Sequence, residues 1–332
     1  MQPYRQSDYD VTNTVQVSSA EAVTRAVFET LNQVFPDEKF ERARQAYVDF
    51  EKLFTGKWPG FLGCDTVYHD IQHTLDMSLA VARIFTGHEL TVADDERLGA
   101  ERCELGIIIA LFHDAGFIRN ENDTDYRHGA ELTQSHVARG AELLTSYLPT
   151  IGFADKAETA GVIVHFTGYE IPLDQIKVDD PLDRKLGHLV ATGDMIAQMA
   201  DRCYLEKCRD RLFPEFVLGG VNLLSDSEED GTSWSSEELL RRTPMFFDRI
   251  KEERLDGAFN GAYHYLEILF GGRNPYIESI EQSMTFLKHV IDSGNWSLLR
   301  REPPCFTWQE DQEDPVTRIQ KLAAAELKNG TR

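Results

Sequence analysis

The apolar run at residues 107–112 (IIIALF) leads without a break into His113 and Asp114. A run of that length suits a buried helix segment and falls well short of the roughly 18–20 apolar residues that span a membrane. Two polar, metal-capable side chains at the end of such a segment are costly to bury unless something satisfies them. A metal ion does so, and so does a hydrogen-bonded buried pair. The dipeptide alone leaves both open, but in either case the fold must bring partners to the end of this helix.

The surrounding pattern is helical. Val23, Val27, Leu31 and Val34 keep helical spacing, and Pro36 ends that run. Residues 37–54 read as a second helix closed by Gly56, and 56–66, rich in Gly and aromatics, as a loop. A helix starting near His69 places His73, Met77, Ala80 and Ile84 on one face. Another, from near Asp94, carries Leu98, Leu105, Ile108, Ile109 and Phe112 and stops at Gly116. Residues 129–147, 155–166 and 182–205 give three more, 236–295 a further set, and 315–328 a short terminal helix. With no alternating strand pattern and no internal repeat, the predicted class is all-α. Residues 1–60 are expected to supply a flexible arm (1–17) and helices packed on a core at 61–220. Residues 221–332 add an acidic loop (225–238, SDSEEDGTSWSSEE) and a C-terminal helical extension.

A hydrophobic content of 42% supports a sizeable core and is too low for a membrane protein. The start, MQPYRQSDYDVTNT, has no apolar signal core, and the five cysteines are scattered without a CxxC pair. Both features predict a cytoplasmic chain with reduced thiols. The net charge of −22 repels phosphate backbones and argues against a duplex nucleic-acid partner. A small phosphorylated substrate stays compatible with it where metal ions supply local positive charge.

Other metal-capable residues lie on mostly apolar faces. His69 and His73 are four apart, His136 shares a face with Leu132, Gly140 and Leu143, His165 follows Gly161 and Val162, and Asp194 lies with Val190 and Ala197. Any one of them alone reads more simply as a satisfied core residue. Five helices each bringing His or Asp together with the His113–Asp114 pair point to a metal site. Mixed imidazole and carboxylate ligands suit Fe, Mn, Zn, Co or Ni better than Mg.

The order YHDIQH, FHDAG and then a lone aspartate in ATGDMIAQ resembles the HD-domain superfamily of metal-dependent phosphohydrolases over residues 65–205. The resemblance implies an HD-type helical bundle with extra N- and C-terminal helices. It also implies one metal held by His73, His113, Asp114 and Asp194. YHDIQH further resembles the opening of cyclic-nucleotide phosphodiesterases, which implies that His69 is a proton donor. HVARGAELL, VIVHFTGYEIP and GDMIAQMADRCYLEK are similar to segments of the HD-GYP cyclic-di-GMP phosphodiesterases, which implies a second metal on His136 and His165. In this chain Phe117 stands where those enzymes have Lys, Phe166 where they have a second His, and Glu170 where they have the Pro of Gly-Tyr-Pro.

The function expected is hydrolysis of a phosphomonoester or phosphodiester in a nucleotide-type small molecule. Asp114 would bridge two ions about 3.5–4 Å apart, a metal-activated hydroxide would attack, and His69 would protonate the leaving oxygen. Arg119 or Arg127 would replace the missing Lys as a phosphate contact, unless each is an ordinary exposed charge. Two alternatives use the same residues: a ligand sensor or scaffold that no longer turns over, and a di-iron oxygenase.

Overall fold

The computed structural model describes residues 5–221, 234–307 and 313–330. These hold twelve α-helices and no β-strand, with two isolated bridges at Tyr9–Gln16 and Phe61–Asn120. The helices are α1 (Ala20–Leu31), α2 (Glu41–Phe54), α3 (Ile71–Thr91), α4 (Gly99–Phe112), α5 (His136–Tyr147), α6 (Ala157–Ile163), α7 (Pro181–Ala200), α8 (Tyr204–Lys207), α9 (Phe213–Leu218), α10 (Ser236–Ile250), α11 (Pro275–Ser293) and α12 (Pro315–Gly330). The all-α class expected from the periodicity is the class observed.

Several helices begin where the sequence supplies a cap. Side chains of Ser19, Asp70, Asp180, Ser235 and Asn274 accept first-turn N–H groups of α1, α3, α7, α10 and α11. Helix α2 is capped from elsewhere in the chain. Glu104 Oε1 accepts from Arg42 N at 2.9 Å and Ala43 N at 3.1 Å.

Helix α3 is buried without interruption from Gln72 to Glu89. Around it pack α1, α4, α7 and a 3-10 segment, Ala262–Phe270. Two glycines set the approach. A Cβ on Gly193 of α7 would lie 2.4 Å from Val81 Cγ2, and one on Gly87 of α3 would lie 1.9 Å from the Tyr265 carbonyl oxygen. Several polar residues of α3 are matched by partners from distant parts of the chain, as most buried polar groups are; Asp76 Oδ1 is buried without a hydrogen-bond partner. Tyr47 donates to Ser78 at 2.8 Å, Thr86 donates to the Thr30 carbonyl at 3.1 Å, and Glu89 accepts from Leu98 N at 2.9 Å. Arg83 pairs with Asp10 at 2.8 Å and donates to the Tyr276 hydroxyl at 2.7 Å.

That last pairing corrects the expected flexible arm over residues 1–17, of which 5–17 are described. Asp10 is fully buried and also accepts from Thr14 N and Val15 N, so this segment is fastened to the body. Helix boundaries differ as well. The helix expected from His69 begins at Ile71, the one expected from Asp94 begins at Gly99, and 129–147 divides into a 3-10 turn (Gly129–Leu132) and α5. Most of the acidic loop expected at 225–238 lies outside the described residues. The main hydrophobic core extends from Val17 to Leu299, so α1, α2, α10 and α11 share it with residues 61–220, while Ile319 of α12 packs in a smaller cluster with Val67, Ala130 and Leu218. Among the described residues no helix is long and apolar enough to cross a membrane.

Helix α4 ends at Phe112, and His113 and Asp114 sit in the turn that follows, before a 3-10 turn at Ala115–Phe117. Helix α5 lies on this turn backbone to backbone. A Cβ on Gly116 would fall 1.8 Å from the His136 carbonyl oxygen, and one on Gly140 would fall 3.0 Å from the His113 carbonyl oxygen. Overpacking of this kind costs about 1–3 kcal/mol. Gly116→Ala should therefore lose about 3 kcal/mol in urea denaturation, with Gly140→Ala milder. A Gly116→Ala midpoint equal to that of the parent would show that the two segments do not meet this closely.

Candidate metal centre

The turn after α4 brings His113 and Asp114 to the first turn of α3, where His73 sits, and to the middle of α7, which carries Asp194. His73, His113 and Asp114 are buried, and each offers a ligand atom within 4.8 Å of the others. His113 Nε2 lies 3.0 Å and His73 Nε2 3.5 Å from Asp114 Oδ2. Asp194 Oδ1 lies 3.3 Å from His73 Nε2 and 3.7 Å from His113 Nε2. Ligand atoms about 2.0–2.2 Å from one transition-metal ion are spaced by roughly these distances. The four residues expected to form the primary set are thus gathered at one point.

The hydrogen bonding fits a cation there. His113 Nδ1 donates to the Ala110 carbonyl at 2.9 Å, since a carbonyl only accepts. In the neutral ring Nε2 is then a lone pair, and it faces Asp114 Oδ2, a buried oxygen that receives no hydrogen bond. Two acceptors this close need a positive charge between them. Without a metal, a proton supplies it. Burial works against the charged His113 ring, but the Asp114 carboxylate outweighs burial and raises its pKa to about 9. Burial alone would raise the Asp114 carboxyl, and the His113 ring beside it holds it far below the ordinary carboxylate range.

Asp114 turns its second oxygen elsewhere. His136 Nε2 lies 3.7 Å from Oδ1, and its Nδ1 donates to the Thr133 carbonyl at 2.7 Å. Asp114 therefore faces imidazoles on both oxygens. His165 forms no ion pair with Asp114 or Asp194 among the described residues. Its Nδ1 is buried without a hydrogen-bond partner, and the carboxylate acting on it is Glu170. Glu170 itself caps α5, accepting from Val137 N at 2.8 Å and Ala138 N at 3.1 Å.

His69 stands one residue before the N-cap of α3 rather than on the helix, so its placement comes from tertiary contacts and not from the four-residue spacing. Glu215, fully buried on α9, accepts Val67 N and Tyr68 N at 2.7 Å on one oxygen and meets His69 Nδ1 at 2.6 Å with the other. Phe117, at the position of the missing Lys, stacks on His69 (centroids 4.6 Å apart) and on His136 (4.2 Å). The two histidines are shifted in opposite directions. For His69, burial opposes the charged ring, but Glu215 and then Asp114 outweigh it, so its pKa is raised. For His136, burial dominates and the pKa is lowered.

The two arginines expected to meet phosphate are engaged elsewhere. Arg119 pairs with Asp65 at 2.9 Å and donates to the Tyr126 carbonyl, and Arg127 pairs with Glu131 and Glu326. Residues the sequence reading missed include Glu215, Phe117 and Gln198, which donates to Asp194 Oδ1 at 3.2 Å and accepts from the Tyr68 hydroxyl at 3.2 Å. An acid inside the short apolar segment FPEFVL was the available signal for Glu215. Beside His73 is a cavity of about 10 Å³, walled in part by Gln72, Asp76, Asp201 and Lys207, room for about one water molecule.

A metal at His113 must displace the proton that this ring holds. The His113 pKa is raised from 6.5 to about 9. Its contribution to metal-free stability is therefore complete below pH 6.5 and is lost as the pH rises through 9. Metal affinity, titrated at fixed ionic strength, should climb by up to about tenfold per pH unit across the same window. A flat affinity from pH 6.5 to 9 would remove His113 from the ligand set. Asp114→Ala should lose bound metal by elemental analysis, and full occupancy in that variant would exclude Asp114.

The chain matches no family model, no curated protein and no solved structure.

Proposed function

We propose that this chain is a metal-dependent phosphohydrolase of the HD type, acting on a phosphomonoester or phosphodiester of a nucleotide-like small molecule. The observation that carries this is the pairing of a His73–His113–Asp114–Asp194 cluster with a neighbouring histidine whose environment favours its protonated form. The ligand chemistry suits Fe, Mn, Zn, Co or Ni, and free cysteines among the described residues accord with a cytoplasmic setting. An ion held there supplies Lewis acidity toward phosphoryl oxygen and water. Asp114, which faces imidazoles on both oxygens, would be a ligand common to two ions, with His136 a ligand of the second.

The protein groups do the rest. Two nearby histidines with pKa values pushed apart divide into a proton holder and a neutral ligand. His69 holds the proton for the leaving oxygen, while His136 keeps a lone pair directed at the cluster. Glu215 fixes the His69 tautomer, because Nδ1 donates to it and leaves Nε2 for the substrate. Phe117 sets the planes of both rings and keeps water from one side of them. A sensor or scaffold built on the same cluster would bind metal and ligand without turnover, and a screen of phosphate esters on metal-analysed protein separates the two.

His69→Ala should keep its metal and lose about 10²–10⁴-fold in kcat on esters with poor leaving groups. It should lose far less on an activated aryl phosphate, whose leaving oxygen scarcely needs a proton. Loss of metal would instead make His69 a ligand, and equal small losses on both substrates would make it a packing residue. Glu215→Gln removes the charge that raises His69. Activity that needs protonated His69 falls as pH rises through its folded pKa, so in Glu215→Gln that fall should move to lower pH. An unmoved profile would separate Glu215 from the acid.

A further inference from the structure

The turn that follows His165 is held on three sides. Glu170 caps α5, and a Cβ on Gly168 would come within 2.6 Å of Val137 Cγ2, so the turn lies flat on that helix. Arg254, from the π-helical segment Lys251–Ala258, donates to the Phe166 carbonyl at 3.2 Å and to the Gly168 carbonyl at 2.8 Å. Yet Tyr169, in the middle of this fixed turn, is 56% exposed. The guanidinium carbon of Arg254 sits 3.9 Å from its ring centroid, and Phe246 is an edge neighbour at 6.4 Å. The candidate metal centre adjoins this turn, since Glu170 Oε1, on the residue after Tyr169, lies 3.7 Å from His136 Nδ1, and His136 Nε2 lies 3.7 Å from Asp114 Oδ1.

A large aromatic ring is seldom held rigid at the surface without a use. One face of this ring is backed by a buried cation that two carbonyls immobilise, and such backing favours stacking of a flat, electron-rich ring on the other. Arg254 also places a positive charge near the cluster on a protein of net charge −22. Neither arginine expected from the sequence does this.

We propose that Tyr169, backed by Arg254, is the subsite that stacks the base of a nucleotide whose phosphate lies at the metal centre. This deepens the hydrolase reading and rests on it for the position of the phosphate. It gives the C-terminal extension a role in choosing the substrate. Tyr169 is the positioning surface, and Arg254 acts through it.

The test is equilibrium binding to the metal-loaded full chain by calorimetry. Adenosine and guanosine 5′-methylenephosphonates, which have no ester bond to cleave, are compared with methylphosphonate, which has the anion and no base. The parent should bind at least one nucleoside analogue about tenfold more tightly than methylphosphonate, in the range expected for one stacked base. Tyr169→Ala should erase that preference and keep both metal content and methylphosphonate affinity, and Tyr169→Trp should restore it. No preference in the parent, or an undiminished one in Tyr169→Ala, overturns the subsite. Hydrolysis of simple phosphate esters without a base preference would sink the subsite and leave the hydrolase reading standing. A Tyr169-dependent base preference without turnover of any ester would do the reverse.

Discussion

Burial of α3 on every side is the constraint from which the rest of the architecture follows. A 21-residue helix enclosed over nearly its whole length cannot leave its polar side chains to water. Each must be met by protein, and no single neighbour reaches them all. Arg83 is met by Asp10 from the N-terminal segment and Tyr276 from α11, Ser78 by Tyr47 from α2, and Glu89 by the backbone before α4. At its first turn, His73 meets two carboxylates, Asp114 and Asp194, together with a further imidazole. Such a set calls for a cation rather than another hydrogen bond.

Around that cluster the environment, more than residue identity, assigns the roles. His69, His113 and His136 are the same side chain in three electrostatic settings. His113 sits against a carboxylate whose charge it must balance. His136, with its Nδ1 committed to a carbonyl and burial working against its charge, is kept as a lone-pair donor. His69 has a carboxylate behind it, which outweighs burial and raises its pKa. Phe117 stacks on two of the three rings without adding a charge of its own.

Local regularities were legible in the sequence. Helical periodicity gave the class, apolar faces marked a wider set of His and Asp residues, and the ordered motifs YHDIQH, FHDAG and ATGDMIAQ, through their resemblance to HD domains, picked out His73, His113, Asp114 and Asp194. Features that depend on contacts between distant segments were not legible. The first segment looked like a polar arm because nothing local reveals that Asp10 ends beside Arg83. His69 was placed on a helix because the Asp70 cap moves the helix start by two residues, which spacing alone does not show. Motif position picked His165 and could not show that Glu170, five residues on, caps α5. Arg119 and Arg127 carried the right charge, and their nearby acids, Asp65 and Glu131, claimed it.

The bond between His69 and Glu215 spans 146 residues of chain, farther than the span joining the ligands from His73 to Asp194. As the chain leaves the ribosome, every residue of the cluster is therefore present before α9 has been made. His69 gains its carboxylate partner only when that later helix docks, and Glu215 also ties down the backbone at Val67 and Tyr68. Contacts this distant in sequence are slow to form. The cluster and the His69–Glu215 contact are thus separable along the chain: residues up to Asp194 carry the first, and only α9 completes the second.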